Sequence, residues 1–139
     1  MFELGGTDMA DEQNIKMINL MILEILKKYS DEEHKLTQDE VMLYLERDYG
    51  ISCNRKTITN NISYLNNFED ESHRKLFDIT TKKGYALLSR DFSEGELRLL
   101  IDSVLYSKFI SQKQAGVLIG KLKKLHSKYF AERIVHRNS

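Results

Sequence analysis

The chain has 139 residues, 21 Lys+Arg balanced by 21 Asp+Glu, one Cys, no Pro and no Trp. This length suits one domain, or one small domain with an appendage, and 41% hydrophobic with 30% charged residues describes a core-forming chain rather than a disordered one. Composition excludes a disulfide framework within the chain, a metal site at ordinary ligand spacing and a membrane helix of ~20 apolar residues, and the acidic start lacks the pattern of a signal peptide.

Residues 1–12 show no period, and Gly5-Gly6 predicts a break, so a flexible lead-in is expected there. Ile15, Ile18, Ile22, Ile25, Leu26 and Tyr29 then recur at three- and four-residue steps, the mark of an amphipathic helix. Lys27-Lys28 suits its C-terminal end, where the helix dipole is negative. Thr37-Gln38-Asp39-Glu40 is a capping box, in which the Thr hydroxyl and the Glu carboxylate each accept the other residue's amide. It opens a second helix with Val41, Tyr44 and Leu45 inward, ending near Gly50. After a short connection, Ser52 or Asn54 caps a third helix whose apolar stripe is Ile58, Ile62 and Leu65.

Beyond Phe68 the period changes. Phe77, Ile79 and Thr81 alternate with polar residues, Lys82-Lys83-Gly84 turns the chain, and Tyr85–Leu88 resumes, predicting a hairpin with a basic tip. Ser93–Glu96 and Ser111–Gln114 are two more capping boxes. The first opens a helix with Leu97, Leu100, Ile101, Val104, Leu105 and Phe109 inward, the second a helix with Leu118, Leu122, Leu125 and Tyr129 inward. Leu99, Tyr106, Ile119 and Phe130 extend these stripes sideways, toward the preceding domain and a second copy of the chain. Gly116 and Gly120 lie opposite the second stripe, where either a partner backbone or drift on an exposed face accounts for them; the neighbouring lysines exclude a membrane role. The expected fold is mainly α with a small β-hairpin: a winged helix-turn-helix over 13–90, an antiparallel helical hairpin over 91–131 and a frayed tail over 132–139.

The zero net charge hides an asymmetry: −7 over residues 1–53, +3 over 54–90 and +4 over 91–139. No Asp or Glu occurs from Tyr49 through Phe68, where the average density would place about three. Lys56, Thr59, Asn60, Ser63 and Asn67 lie opposite the apolar stripe of the third helix, with Arg55 on its flank. All can donate hydrogen bonds, and the absent carboxylates are what a phosphate-lined groove demands. Asn pairs in two places with an adenine edge, Arg or Lys with guanine. Asn and Thr also weaken a helix, so their density here asks for a cause. Lys82 and Lys83 at the hairpin tip suit phosphate contact, or protection of a sheet edge.

Leu36–Val41, Asn54–Ile58 and Gly84–Leu87, in this order, resemble the DeoR-type winged-helix region of bacterial WYL-domain transcriptional regulators. Phe92–Asp102 and Ser107–Ile110 resemble the helical linker of those proteins. The resemblance implies a sequence-specific, usually dimeric regulator of double-stranded DNA, with Arg55, Lys56, Thr59 and Asn60 facing the major groove; the WYL domain itself is absent. The expected partners are therefore duplex DNA and a second copy through the C-terminal helices, in the cytoplasm, with no membrane and no cofactor. A winged-helix assembly module that binds no nucleic acid is the alternative, supported by the acidic first third. An RNA-binding winged domain lacks an exposed aromatic platform. An enzyme lacks an acid-base or nucleophile constellation: Cys53 has no His partner nearby in sequence and suits a small packed residue.

Overall fold

The computed structural model describes residues 4–134, with side chains from Met17 onward. Six helices and one two-stranded antiparallel sheet follow in the order α1 Leu4–Tyr29, α2 Gln38–Tyr49, α3 Arg55–Asn67, β1 Ile79–Thr80, β2 Ala86–Leu87, α4 Glu94–Leu105, α5 Gln112–Lys123 and α6 Lys128–Arg133. The protein is mainly α with a small hairpin, as the sequence predicts at that level.

Helix α1 runs through Gly5-Gly6, against the predicted break. Glycine weakens a helix by about 1 kcal/mol but, unlike proline, retains the amide that carries the hydrogen-bond ladder. The rest of the expected lead-in, residues 1–3, lies outside the described residues, as do residues 135–139 of the expected tail; α6 continues to Arg133.

The capping box at Thr37 is formed: Glu40 N donates to Thr37 Oγ1 at 3.1 Å and Thr37 N to Glu40 Oε1 at 2.8 Å. Helix α2 ends on Gly50 at φ 68°, with Gly50 N donating to Glu46 O and Ile51 N to Leu45 O. This paired closure needs a left-handed residue and places the following apolar residue inward, and Ile51 is buried. The chain thereby turns directly into α3, whose first turn is capped by Asn54 accepting from Thr57 N. Ile58, Ile62 and Leu65 enter one core with Ile22, Leu26, Val41, Leu45 and Leu87.

β1 and β2 pair Ile79 with Leu87 and Thr80 with Ala86. A third segment joins them: Leu36 and Tyr85 exchange two backbone bonds of 2.8 and 2.7 Å. The connection before α2 is thus stitched to the hairpin. Gly84 makes this possible, since at φ 121° a Cβ would lie 2.9 Å from Lys35 Cβ and 3.1 Å from Leu36 O.

Helices α4, α5 and α6 enclose a second core of Leu97, Ile101, Ile119 and Phe130. Here the predicted stripes need correction. Leu100, Leu118, Leu125 and Phe109 are exposed, the last at 95%, while Ile119 and Phe130, expected on the sides, are central. α4 stops at Leu105, so the helical period does not extend to Phe109. The single helix expected through Tyr129 is two: Ser127 caps α6 by accepting from Phe130 N, which swings Phe130 into the core.

Buried polar contacts join the two cores. Asp31, 4% exposed, accepts from Ser127 Oγ at 2.8 Å, and the His34 ring stacks on Tyr129 with centroids 3.7 Å apart. Arg90 donates to the carbonyls of Leu26, Lys27 and Ser30, satisfying the end of α1.

Candidate nucleic-acid interface

Burial of Ile58, Ile62 and Leu65 turns the opposite side of α3 outward. Lys56, Asn60, Ser63, Tyr64 and Asn67 are all exposed there. Lys56 and Asn60 form no side-chain hydrogen bond or ion pair among the described residues, so their donors are available to a ligand; Asn67 Nδ2 donates to Ser63 Oγ at 3.3 Å. Tyr64, 66% exposed, belongs to this face. The sequence reading did not single it out, although its place on the wheel beside Asn60 was the available signal.

Two of the expected residues are engaged within the protein. Arg55 leans onto α2 and makes a two-pronged ion pair with Asp39, both N–O distances 3.0 Å. The hydrogen bonds that Arg55 donates to Asp39 hold its guanidinium above its ordinary range, and the carboxylate partly offsets its charge toward an approaching anion. Thr59 Oγ1 donates to Arg55 O and accepts from Gln38 Nε2 at 2.6 Å. The same Gln38 amide donates to Tyr85 Oη at 3.2 Å. Gln38 therefore ties the start of α2, the exposed side of α3 and the hairpin to one another, a link that residue types alone do not reveal.

Asn66 makes a second clamp. Its Nδ2 donates to Ile79 O at 2.9 Å and Ile79 N donates to its Oδ1 at 2.8 Å, fixing the last turn of α3 to β1. The Asn-rich composition of α3 thus has a divided cause: Asn54 caps, Asn66 clamps, and Asn60 faces outward.

Lys82 and Lys83 stand exposed in the turn between β1 and β2, with Lys83 at φ 62°, and neither forms an ion pair among the described residues. Lys35 Nζ donates to Lys82 O at 3.2 Å and adds a third cation at the turn. Arg74, further back, is held by Asp70 at 3.0 Å. The arrangement presents exposed cations on α3 and at the hairpin tip, joined through Gln38 and Gly84, with neutral hydrogen-bond donors between. Chemically it can hold an extended polyanion and read neutral polar edges.

Cys53 is half-buried in front of α3, and burial pushes its thiol up, away from the nucleophilic thiolate. A cavity of about 840 Å³ lies elsewhere, where the Asp31–Glu33 connection meets α4 and α6; its Arg133 is paired with Glu94 at 2.6 Å, and its Arg90 holds the end of α1.

No family model, curated protein or solved structure matches this chain. Among the described residues no helix is long and apolar enough to cross a membrane.

Proposed function

We propose that residues 13–90 form a winged helix-turn-helix that binds double-stranded DNA sequence-specifically, in a cytoplasmic transcriptional regulator. The carrying observation is the outward side of α3: Lys56, Asn60, Ser63 and Tyr64 exposed together, without a carboxylate between Tyr49 and Phe68. The resemblance to the DeoR-type region of WYL-domain regulators agrees with this reading, and so does the pairing of Leu36 with Tyr85, which ties the hairpin to the base of α2. In this reading α3 enters the major groove, where Asn60 and Lys56 reach base edges and Tyr64 and Ser63 reach bases or phosphates. Lys82 and Lys83 grip the backbone beside it. Arg55 serves chiefly to orient α3 through Asp39 and reaches phosphate only when that pair opens.

A two-fold dimer completes the reading. Leu99 and Tyr106 stand on the outer side of α4, with Phe109 beyond its end, all strongly exposed. Their burial against a second copy removes three large apolar side chains from water and presents two reading helices to half-sites about one helical turn apart.

The same exposed side chains favour a second reading, a winged module that assembles with another protein and binds no nucleic acid. Selection of bound sequences from a random duplex library separates the two. The DNA reading expects an enriched motif, and Asn60→Ala then relaxes preference at one position by about 1–3 kcal/mol. Lys82→Gln weakens every duplex alike and lowers the salt slope by about one unit. No enrichment and no duplex binding at low salt leave the assembly reading.

A further inference from the structure

A second acid-free surface lies outside the winged unit. From Ser103 through Ala131 there is no Asp or Glu, although the chain's average density would place about four, and there are six lysines. Lys128 is occupied, its ammonium lying 5.7 and 5.1 Å from the Tyr29 and Tyr129 ring centres. Lys113, Lys121 and Lys124 are exposed and form no ion pair among the described residues. With Ile119 turned into the core, Lys121 and Lys124 fall on the opposite side of α5 with Lys113 nearer its flank. Gly116 and Gly120 lie along one edge of this strip, where an added Cβ would meet nothing within 4 Å, so that edge is low, and exposed Val117 lies between the cations.

We infer that this side of α5 docks the phosphodiester backbone of duplex DNA as a contact separate from α3. The charge complementarity is direct: three free cations along about 16 Å of helix, against a strand carrying one phosphate per ~3.4 Å of axis. A lipid surface fits less well, because an interfacial helix turns a broad apolar side toward the membrane, whereas here Val117 is flanked by the cations and the exposed Leu118 and Leu125 only border them. The inference takes the identity of the polyanion from the proposed function, but its residues are different ones.

The test uses the full chain and a 40-base-pair random duplex, with affinity measured from 50 to 200 mM salt. The triple variant K113Q/K121Q/K124Q should lower the slope of log affinity against log salt by about two to three units and weaken binding more than tenfold at 100 mM. Lys27→Gln, which removes a cation already paired with Glu24, controls for net charge and should change the slope by less than half a unit. Gly120→Leu, which fills the low surface without altering charge, should weaken binding at least threefold while circular dichroism and the urea midpoint show the fold kept. An unchanged slope in the triple variant overturns the inference. So does loss of binding to phosphatidylserine vesicles with duplex binding intact, or a loss of dimer mass that accounts for the whole effect. Failure of the α3 reading looks different: Asn60→Ala then leaves sequence preference untouched, while the triple variant still flattens the slope.

Discussion

Asp31 is a buried link between the two cores, and its replacement by Ala gives a calculable loss. Its Oδ1 accepts from Glu33 N, His34 N and His34 Nδ1, each at 2.9 Å, and its Oδ2 accepts from Ser127 Oγ at 2.8 Å. In Asp31→Ala, Glu33 N can turn to water, and His34 N keeps the Asp31 carbonyl at 3.2 Å. Those bonds account for about 1 kcal/mol together. Ser127 has no such recourse: its fully buried hydroxyl still accepts from Phe130 N but loses the acceptor for its own proton, and an unsatisfied buried donor costs about 1–3 kcal/mol. The expected destabilisation is therefore about 3 kcal/mol. Ser127→Ala removes the α6 cap, worth about 1 kcal/mol, and strips Asp31 of one donor. Because the two variants delete the same bond, the double variant should cost about 1–2 kcal/mol less than their sum. Urea unfolding at pH 7 of the parent, both single variants and the double variant measures this. A loss under about 1 kcal/mol for Asp31→Ala, or additivity of the pair, would refute a buried link between the cores.

Stability should fall as the medium is acidified. Burial, and then Arg90, hold His126 below its ordinary 6.5, and its Nδ1 accepts from Ser127 N; a depressed histidine favours folding in its neutral form, so stability is full above pH 6.5 and declines as pH falls through the lowered value. Burial alone would raise the Asp31 carboxyl, but hydrogen bonds from His34, Ser127 and Glu33 outweigh it and hold it below 3.8, so a second decline begins as pH falls below about 4. A urea midpoint higher at pH 5 than at pH 7.5 would contradict the first assignment. Gly84→Ala should cost about 1–3 kcal/mol and loosen the hairpin from Leu36, visible as faster amide exchange at Tyr85. Asn66→Ala should cost about 2 kcal/mol by releasing Ile79 from α3, read from the urea midpoint. Asp39→Asn should cost no more than an exposed ion pair contributes, about 0.2–1 kcal/mol, yet free Arg55, raising duplex affinity severalfold at low salt; unchanged affinity places Arg55 outside the DNA contact.

The reading of α2 and α3 from sequence succeeded because their signals are local. A capping box, a left-handed Gly50 and a short apolar stripe act within a few residues, and each is formed where the spacing puts it. The inward residues of α4–α6 were less legible. Several apolar residues there compete for a small core, and the entry of Phe130 goes with the new helix start at Ser127, whose hydroxyl accepts from Phe130 N and also donates to Asp31 far away in the chain. For the candidate interface, residue types placed Lys56, Asn60 and Ser63 on the outer side of α3, since burial of one stripe turns the opposite residues to solvent.

Sequence alone thus determined the helical character, the caps of α2, α4 and α5, the basic turn and the acid-free stretch around α3, because periodicity, capping and charge act over one or two turns. Tertiary structure decided which donors are free: Arg55 is claimed by Asp39, Thr59 by Gln38 and Asn66 by Ile79, while Asn60, Lys56 and Tyr64 remain outward. Such partners lie 13 to 21 positions apart along the chain, and only folding brings them within hydrogen-bond distance.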